Sequence, residues 1–255
     1  GNVYVASRSA AGGNNEYTVR KYTSGGGVLA TAVIAYAGYL YNDQPKIKIH
    51  PGNGQIYLGG TSEATSGDQQ MTLYKSNLAL SGFNGIYSYN HTSQPYDHAA
   101  DLDIDPSSQN VIFTGNIFSN VNGNDYFYAK TDTLGNFIYS NIYNGVINGS
   151  DYASSMVTDA SNLPLVAGGT KSTSTGQDGF IVKYDATGNE AWQSVFTGTG
   201  AFNDYLYAVD INTSGHYYAG GYTEVSSGNY DMWLIKADGN GSKLWDVALS
   251  GTDVG

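Results

Sequence analysis

Three acidic residues stand at alternate positions near the middle of the chain: Asp101, Asp103 and Asp105. In an extended segment that spacing sends all three carboxylates to one side. Carboxylates gathered in this way are calcium chemistry, since Ca²⁺ takes roughly six to eight oxygen ligands. Calcium is the one ion these residue types would suit, and no motif calls for any other cofactor. Lys46 and Lys48 show the same alternation one repeat earlier and would compete for the same carboxylates. A second polar cluster, His91, Tyr96 and His98, surrounds Asp97 and is the candidate for a ligand or weak metal contact. None of the four histidines, His50, His91, His98 and His216, forms a pair with zinc spacing.

Catalytic motifs are otherwise missing. There is no HExxH, no GxSxG and no phosphate loop. No acidic pair is marked out for glycosidic chemistry. The stretches Asp185–Glu190 and Asp238–Ser242 lack the closing Glu of a twelve-residue calcium loop and read as type I turns with a glycine bulge. Other residues recur too regularly to be catalytic. A lysine returns at 21, 75, 130, 183 and 236, and an aspartate at 43, 97, 151 and 204. The lysines read as snorkelling or cross-sheet ion-pair residues. The aspartates read as side chains that fix a turn by bonding to the backbone.

Composition narrows the classes. The 255 residues carry a net charge of −11, which disfavours nucleic acid, because phosphate binding needs clustered cations. No apolar run reaches the length of a membrane-spanning helix. There is no cysteine, so disulfides and thiolate metal sites are excluded. Tyrosine is abundant, at 23 residues, and glycine more so, at 34.

The recurrent lysines are 53 to 55 residues apart, a period that points to a repeat architecture. Each closes an alternating segment: EYTVRK, QMTLYK, DYFYAK, DGFIVK and DMWLIK. Such alternation is the mark of a half-buried strand. Around each lysine strand three further strands can be placed. The first strands are 46–50, 101–105, 155–159 and 208–212; the second are 2–7, 55–60, 110–115, 163–169 and 216–221. The fourth are 28–36, 82–89, 136–143, 190–196 and 243–249. No segment has a helical period. Four antiparallel strands per period is the blade of a β-propeller. The expectation is one all-β domain over 1–255, with five repeats at about 1–50, 51–106, 107–160, 161–213 and 214–255. The second-to-third-strand segments, 8–15, 61–69, 116–124, 170–177 and 222–230, are rich in Ser, Gly and Asn and are expected to be long binding loops. With five copies of three strands and four of the first, a longer parent chain with more blades is expected, the alternative being five blades that close on themselves.

The phrases GNVYVAS, GGTKSTSTGQDGFIVKYDATGNEAW and AGGYTEVSSGNYDMWLIKADGNGSKLW resemble the bacterial SBBP β-propeller repeats. Repeats four and five carry the likeness best. Repeat one has Glu16 where the pattern has Asp, and repeats two and three have Tyr87 and Tyr139 in the fourth strand. The resemblance implies an exported or cell-surface protein, often large, with a non-enzymatic role in binding a protein partner or in spacing domains. Loop tyrosines and asparagines also suit a surface glycan, as in a lectin. A hydrolase or lyase with carboxylates at the channel mouth is the third reading.

Overall fold

The computed structural model describes residues 1–9, 15–36, 44–65, 68–91, 96–119, 123–145, 147–173 and 176–251. Asp43 and much of segment 8–15 lie outside them. The described residues form strands and turns and contain no helix. The first sheet holds β1 (Val3–Ser9), β2 (Asn15–Tyr22) and β3 (Val28–Tyr36). The second holds β4 (Lys46–Ile49), β5 (Ile56–Thr65), β6 (Asp68–Ser76) and β7 (Asn84–Tyr89). The third holds β8 (His98–Ile104), β9 (Val111–Ser119), β10 (Gly123–Thr131) and β11 (Phe137–Tyr143). The fourth holds β12 (Tyr152–Thr158), β13 (Pro164–Lys171), β14 (Gln177–Tyr184) and β15 (Glu190–Phe196). The fifth holds β16 (Asp204–Ile211), β17 (Tyr217–Ser226), β18 (Asn229–Ala237) and β19 (Lys243–Leu249). Within each sheet, consecutive strands pair antiparallel.

Two expectations about local structure need correction. The first strands of sheets three to five begin three or four residues early, at His98, Tyr152 and Asp204. A bulge follows, at Ala99/Asp101, Ala153/Ser155 and Leu206/Ala208. The extra residue breaks the alternation, so the period alone finds only the second half of each strand. Among the described residues, much of the expected loops 61–69, 116–124 and 222–230 is ladder. Glu63 pairs with Gln69, Ser119 with Gly123, and Ser226 with Asn229. Threonine, valine and phenylalanine between the small residues keep the strands extended.

The sheets stack face to face in chain order. Positions two and four before each recurrent lysine point toward the next sheet. These are Tyr17 and Val19, Met71 and Leu73, and Tyr126 and Tyr128, all with 0% exposure. They meet the opposite face of the following sheet, such as Ile56 and Leu58 of β5 or Leu102 and Phe113 of sheet three. Central strands are therefore buried on both sides, not half-buried as alternation suggests. Four core clusters result, joining sheets one and two, two and three, three and four, and four and five. Close approach needs glycine: a Cβ on Gly60 would lie 2.5 Å from the Tyr17 ring, whose hydroxyl accepts from the Thr61 N–H.

The recurrent lysines help lock these interfaces. The Lys21 ammonium lies over the Tyr4 ring, and both groups donate to the Leu78 carbonyl in the next sheet. Lys75 and Tyr57 repeat the arrangement on the Thr133 carbonyl. Lys130 and Lys183 instead turn to a carboxylate in their own sheets, Asp105 and Asp159. The turns after the lysine strands are glycine-bulge turns as expected. Gly188 N donates to Asp185 O at φ +89°, and Gly241 N to Asp238 O at φ +82°. Left-handed φ is where glycine carries no steric cost.

Candidate functional site

The first strands β4, β8, β12 and β16 neighbour one another, which places the aspartate run where strands from three sheets meet. There the three carboxylates separate in role. Asp101 Oδ2 accepts from Met156 N at 2.9 Å and from the Ser155 hydroxyl, both on β12. Asp103 Oδ2 accepts from Thr158 N at 2.9 Å, while Oδ1 pairs with Lys48 of the second sheet at 3.1 Å. These contacts stitch sheets two, three and four together at their first strands. Asp105 leaves that line. It caps the turn after β8 through Ser107 and Ser108 and forms a buried ion pair with Lys130 at 2.5 Å. Burial opposes the charge on Asp105, but Lys130 and the serine donors hold its carboxyl well below the usual range. Burial pushes Asp101 upward, against the Met156 N–H and the nearby lysines. No group of three or more His, Asp or Glu among the described residues is arranged to hold a metal ion.

The recurrent aspartates behave as turn-fixing residues. Asp151 accepts from Gly145 N, the Thr170 hydroxyl and Lys171 N, and Asp204 accepts from Gly198 N. Asp97, fully buried, accepts from His91 N across the connection between sheets two and three. Burial lifts its pKa to about 7 despite hydrogen bonds from the His91 and Phe118 backbones. Asp125 rises to about 6 through burial and the neighbouring Asp151 charge.

Beside Asp97 opens a cavity of about 470 Å³, lined by Tyr96, His98, Asn116, Ile117, Phe118, Asn124 and Tyr152. It lies where β8 begins, β9 ends, β10 begins and β12 begins. Tyr96, half exposed, stands edge-on to Phe118 at 6.2 Å. Of the three residues singled out by sequence, the structure brings Tyr96 and His98 into this wall. His91 is not among the lining residues and is tied to the site through its backbone bond to Asp97. Asn116, Phe118 and Asn124 fall in segment 116–124, expected as a binding loop but found on β9 and β10, and sequence reasoning missed Tyr152 of β12. Their polar atoms are mostly committed. Asn116 brackets Ala153, donating to its carbonyl and accepting from its N–H, and Asn124 Nδ2 donates to the Tyr152 hydroxyl. Asn124 Oδ1 is buried with no hydrogen-bond partner among the described residues. The result is a mostly aromatic and aliphatic cavity.

No family model and no curated protein matches this chain. Solved structures do. A neuraminidase-like protein from A/bat/Guatemala/164/2009 aligns at a TM-score of 0.54 and 8% identity, over 92% of this chain and 65% of its own. Raptor of Chaetomium thermophilum aligns at 0.52 and 10%, over 97% of this chain and 21% of its own. An alpha-L-arabinofuranosidase from Clostridium thermocellum ATCC 27405 aligns at 0.45 and 10%, over 98% and 95%. The chain thus spans less than two thirds of the first two. At such identity the likeness concerns fold alone, and the fold it shows is an all-β propeller.

Proposed function

We propose that this chain is a non-enzymatic propeller module of an exported or cell-surface protein, in which each repeat of about 53 residues supplies one blade, and that it binds a protein partner at the Tyr96–His98 cavity. The export reading rests on the repeat resemblance. The binding reading rests on one observation: the cavity wall is mostly aromatic and aliphatic, and the amide nitrogens of Asn116 and Asn124 are already engaged within it. A sugar needs many donors and acceptors around its ring. An aromatic side chain such as tyrosine or tryptophan matches this wall better, and such residues anchor protein interfaces. The aspartates that could have served catalysis or calcium are engaged in cross-sheet and turn bonds.

The test is selection from a random peptide display library, run beside a glycan array. Selected peptides should carry a central Tyr or Trp and lose tenfold or more in affinity against Tyr96→Ala and Phe118→Ala. A glycan that binds the parent and not Tyr96→Ala would overturn the reading in favour of a lectin.

A further inference from the structure

The cavity beside Asp97 has carboxylates behind its wall. Tyr96 and His98 flank Asp97, Asn124 precedes Asp125, and Tyr152 follows Asp151. Asp125 also pairs with Ile117 across the β9–β10 ladder. The three aspartates are 0%, 7% and 0% exposed. Oδ1 of Asp97 and Oδ1 of Asp125 accept no hydrogen bond among the described residues. Elsewhere the repeat supplies such a bond. Thr170 of sheet four and Thr223 of sheet five stand where Ile117 stands in sheet three, opposite Asp178 and Asp231 as Ile117 is opposite Asp125. Their hydroxyls donate to Asp151 and Asp204. Isoleucine has no hydroxyl, so Asp97 lacks that donor, and the departure falls where the cavity opens.

Positive charge is missing there too. The ion pairs among the described residues hold Asp103, Asp105, Asp159 and Asp246, and none of these three. Lys171 bonds to Asp151 through its backbone N–H and is itself exposed. Asp68 adds negative charge near Asp97, and Asp151 adds it near Asp125. Burial and these like charges lift Asp97 to about 7 and Asp125 to about 6, as befits carboxyls enclosed without a counterion. The wall itself carries the Tyr96, Phe118 and Tyr152 rings, and aromatic faces attract cations. Apolar walls also focus the field of charges behind them.

We infer that the protein segment entering this cavity is basic, with a lysine or arginine beside its aromatic anchor, drawn by the carboxylates of Asp97, Asp125 and Asp151. The inference rests on the protein-binding reading of the cavity and adds the charge of the partner. The argument is charge complementarity: the rings on the wall and the carboxylates behind it select the same sign.

Titration calorimetry of the 255-residue chain at pH 8 tests this with three glycine-based heptapeptides. Each has a central tyrosine, flanked by lysines, by norleucines or by glutamates. The lysine peptide should bind about tenfold tighter than the norleucine peptide, and the glutamate peptide should bind weakest. Asp97→Asn and Asp125→Asn keep the shape and remove the charge, so each should cut the lysine preference about threefold. Asp238→Asn, beyond the lysine end of β18 and far from the cavity, should leave it unchanged. Tyr96→Ala should weaken all three peptides. If the lysine and norleucine peptides bind alike and Tyr96→Ala abolishes both, the inference fails and the cavity remains a protein site. A preference that Asp238→Asn lowers as far as Asp97→Asn does overturns it in favour of overall net charge. Binding of no peptide up to millimolar concentration removes the inference together with the reading beneath it.

Discussion

The aspartate run at 101–105 and the segment at 91–98 draw notice in the sequence for the same reason, a local density of polar side chains. The structure treats them oppositely. Around the run, partners arrive from sheets on either side: Lys48 from the second, Met156 and Thr158 from the fourth. Around Tyr96 and His98, the neighbouring strands bring rings and aliphatic groups instead, and a cavity remains open. What separates a satisfied cluster from an open cavity is thus whether other sheets complete it with polar partners. The partners stand about one repeat away in sequence, so the difference is set by stacking and not by the cluster itself.

The largest effect should come from breaking the run where it is most enclosed. The Asp105 and Lys130 side chains are 3% and 11% exposed. Asp105→Ala leaves a buried ammonium without its counterion and should cost about 3–5 kcal/mol, read by urea unfolding. Replacing both partners by apolar residues of similar volume should recover most of that loss. A cost below about 1 kcal/mol for Asp105→Ala would place the pair in solvent-like surroundings. Next in size is Asp101→Ala, which strips the Met156 N–H of its acceptor and should cost about 1–3 kcal/mol. If that variant unfolds at the parent's midpoint, the stitch between sheets three and four contributes nothing.

Much of the fold was legible before any coordinates. The spacing of Lys21, Lys75, Lys130, Lys183 and Lys236 gave the repeat, and alternation located the second, third and fourth strands. Bulges hid the starts of β8, β12 and β16, because one extra residue reverses the pattern that alternation relies on. The Ser, Gly and Asn content of 61–69 and 222–230 suggested loops, yet hydrogen-bonded pairing carries through most of both. Of the cavity, Tyr96 and His98 were found by composition alone. Phe118 and Asn124 lie in segment 116–124, marked only as an expected binding loop, and Tyr152 was not marked at all, since only the packing of β9, β10 and β12 collects these side chains.

A pH titration separates Asp97 from Asp105 of the run. Its carboxyl has an ordinary pKa of 3.8 and one of about 7 in the folded chain. Between those values the folded state holds a proton that the unfolded state has lost, so stability falls as pH rises from about 4 to about 7. Asp125, raised to about 6, acts in the same direction. Asp105, held low, acts oppositely and loses its contribution as the medium turns acid. Asp97→Asn mimics the protonated side chain, so it should flatten the decline without abolishing it. An unchanged slope in chemical denaturation from pH 4 to 7 would mean that Asp97 ionises normally.

The smallest effect is expected where the run meets solvent, at Lys48 and Asp103. Their charges match those of Lys130 and Asp105, but the side chains are 44% and 16% exposed and the separation is 3.1 Å against 2.5 Å. Water screens the outer pair, and holding a long lysine side chain in one geometry offsets part of the attraction. Lys48→Ala should therefore cost no more than about 1 kcal/mol. Molar salt, where screening reaches about 3 Å, should erase even that. Asp103 keeps its bond from Thr158 N in the variant, so no carboxylate is left without a donor. A cost for Lys48→Ala near that of Asp105→Ala would show that the neighbouring sheets enclose the whole run, and that exposure of the lysine does not weaken its contact.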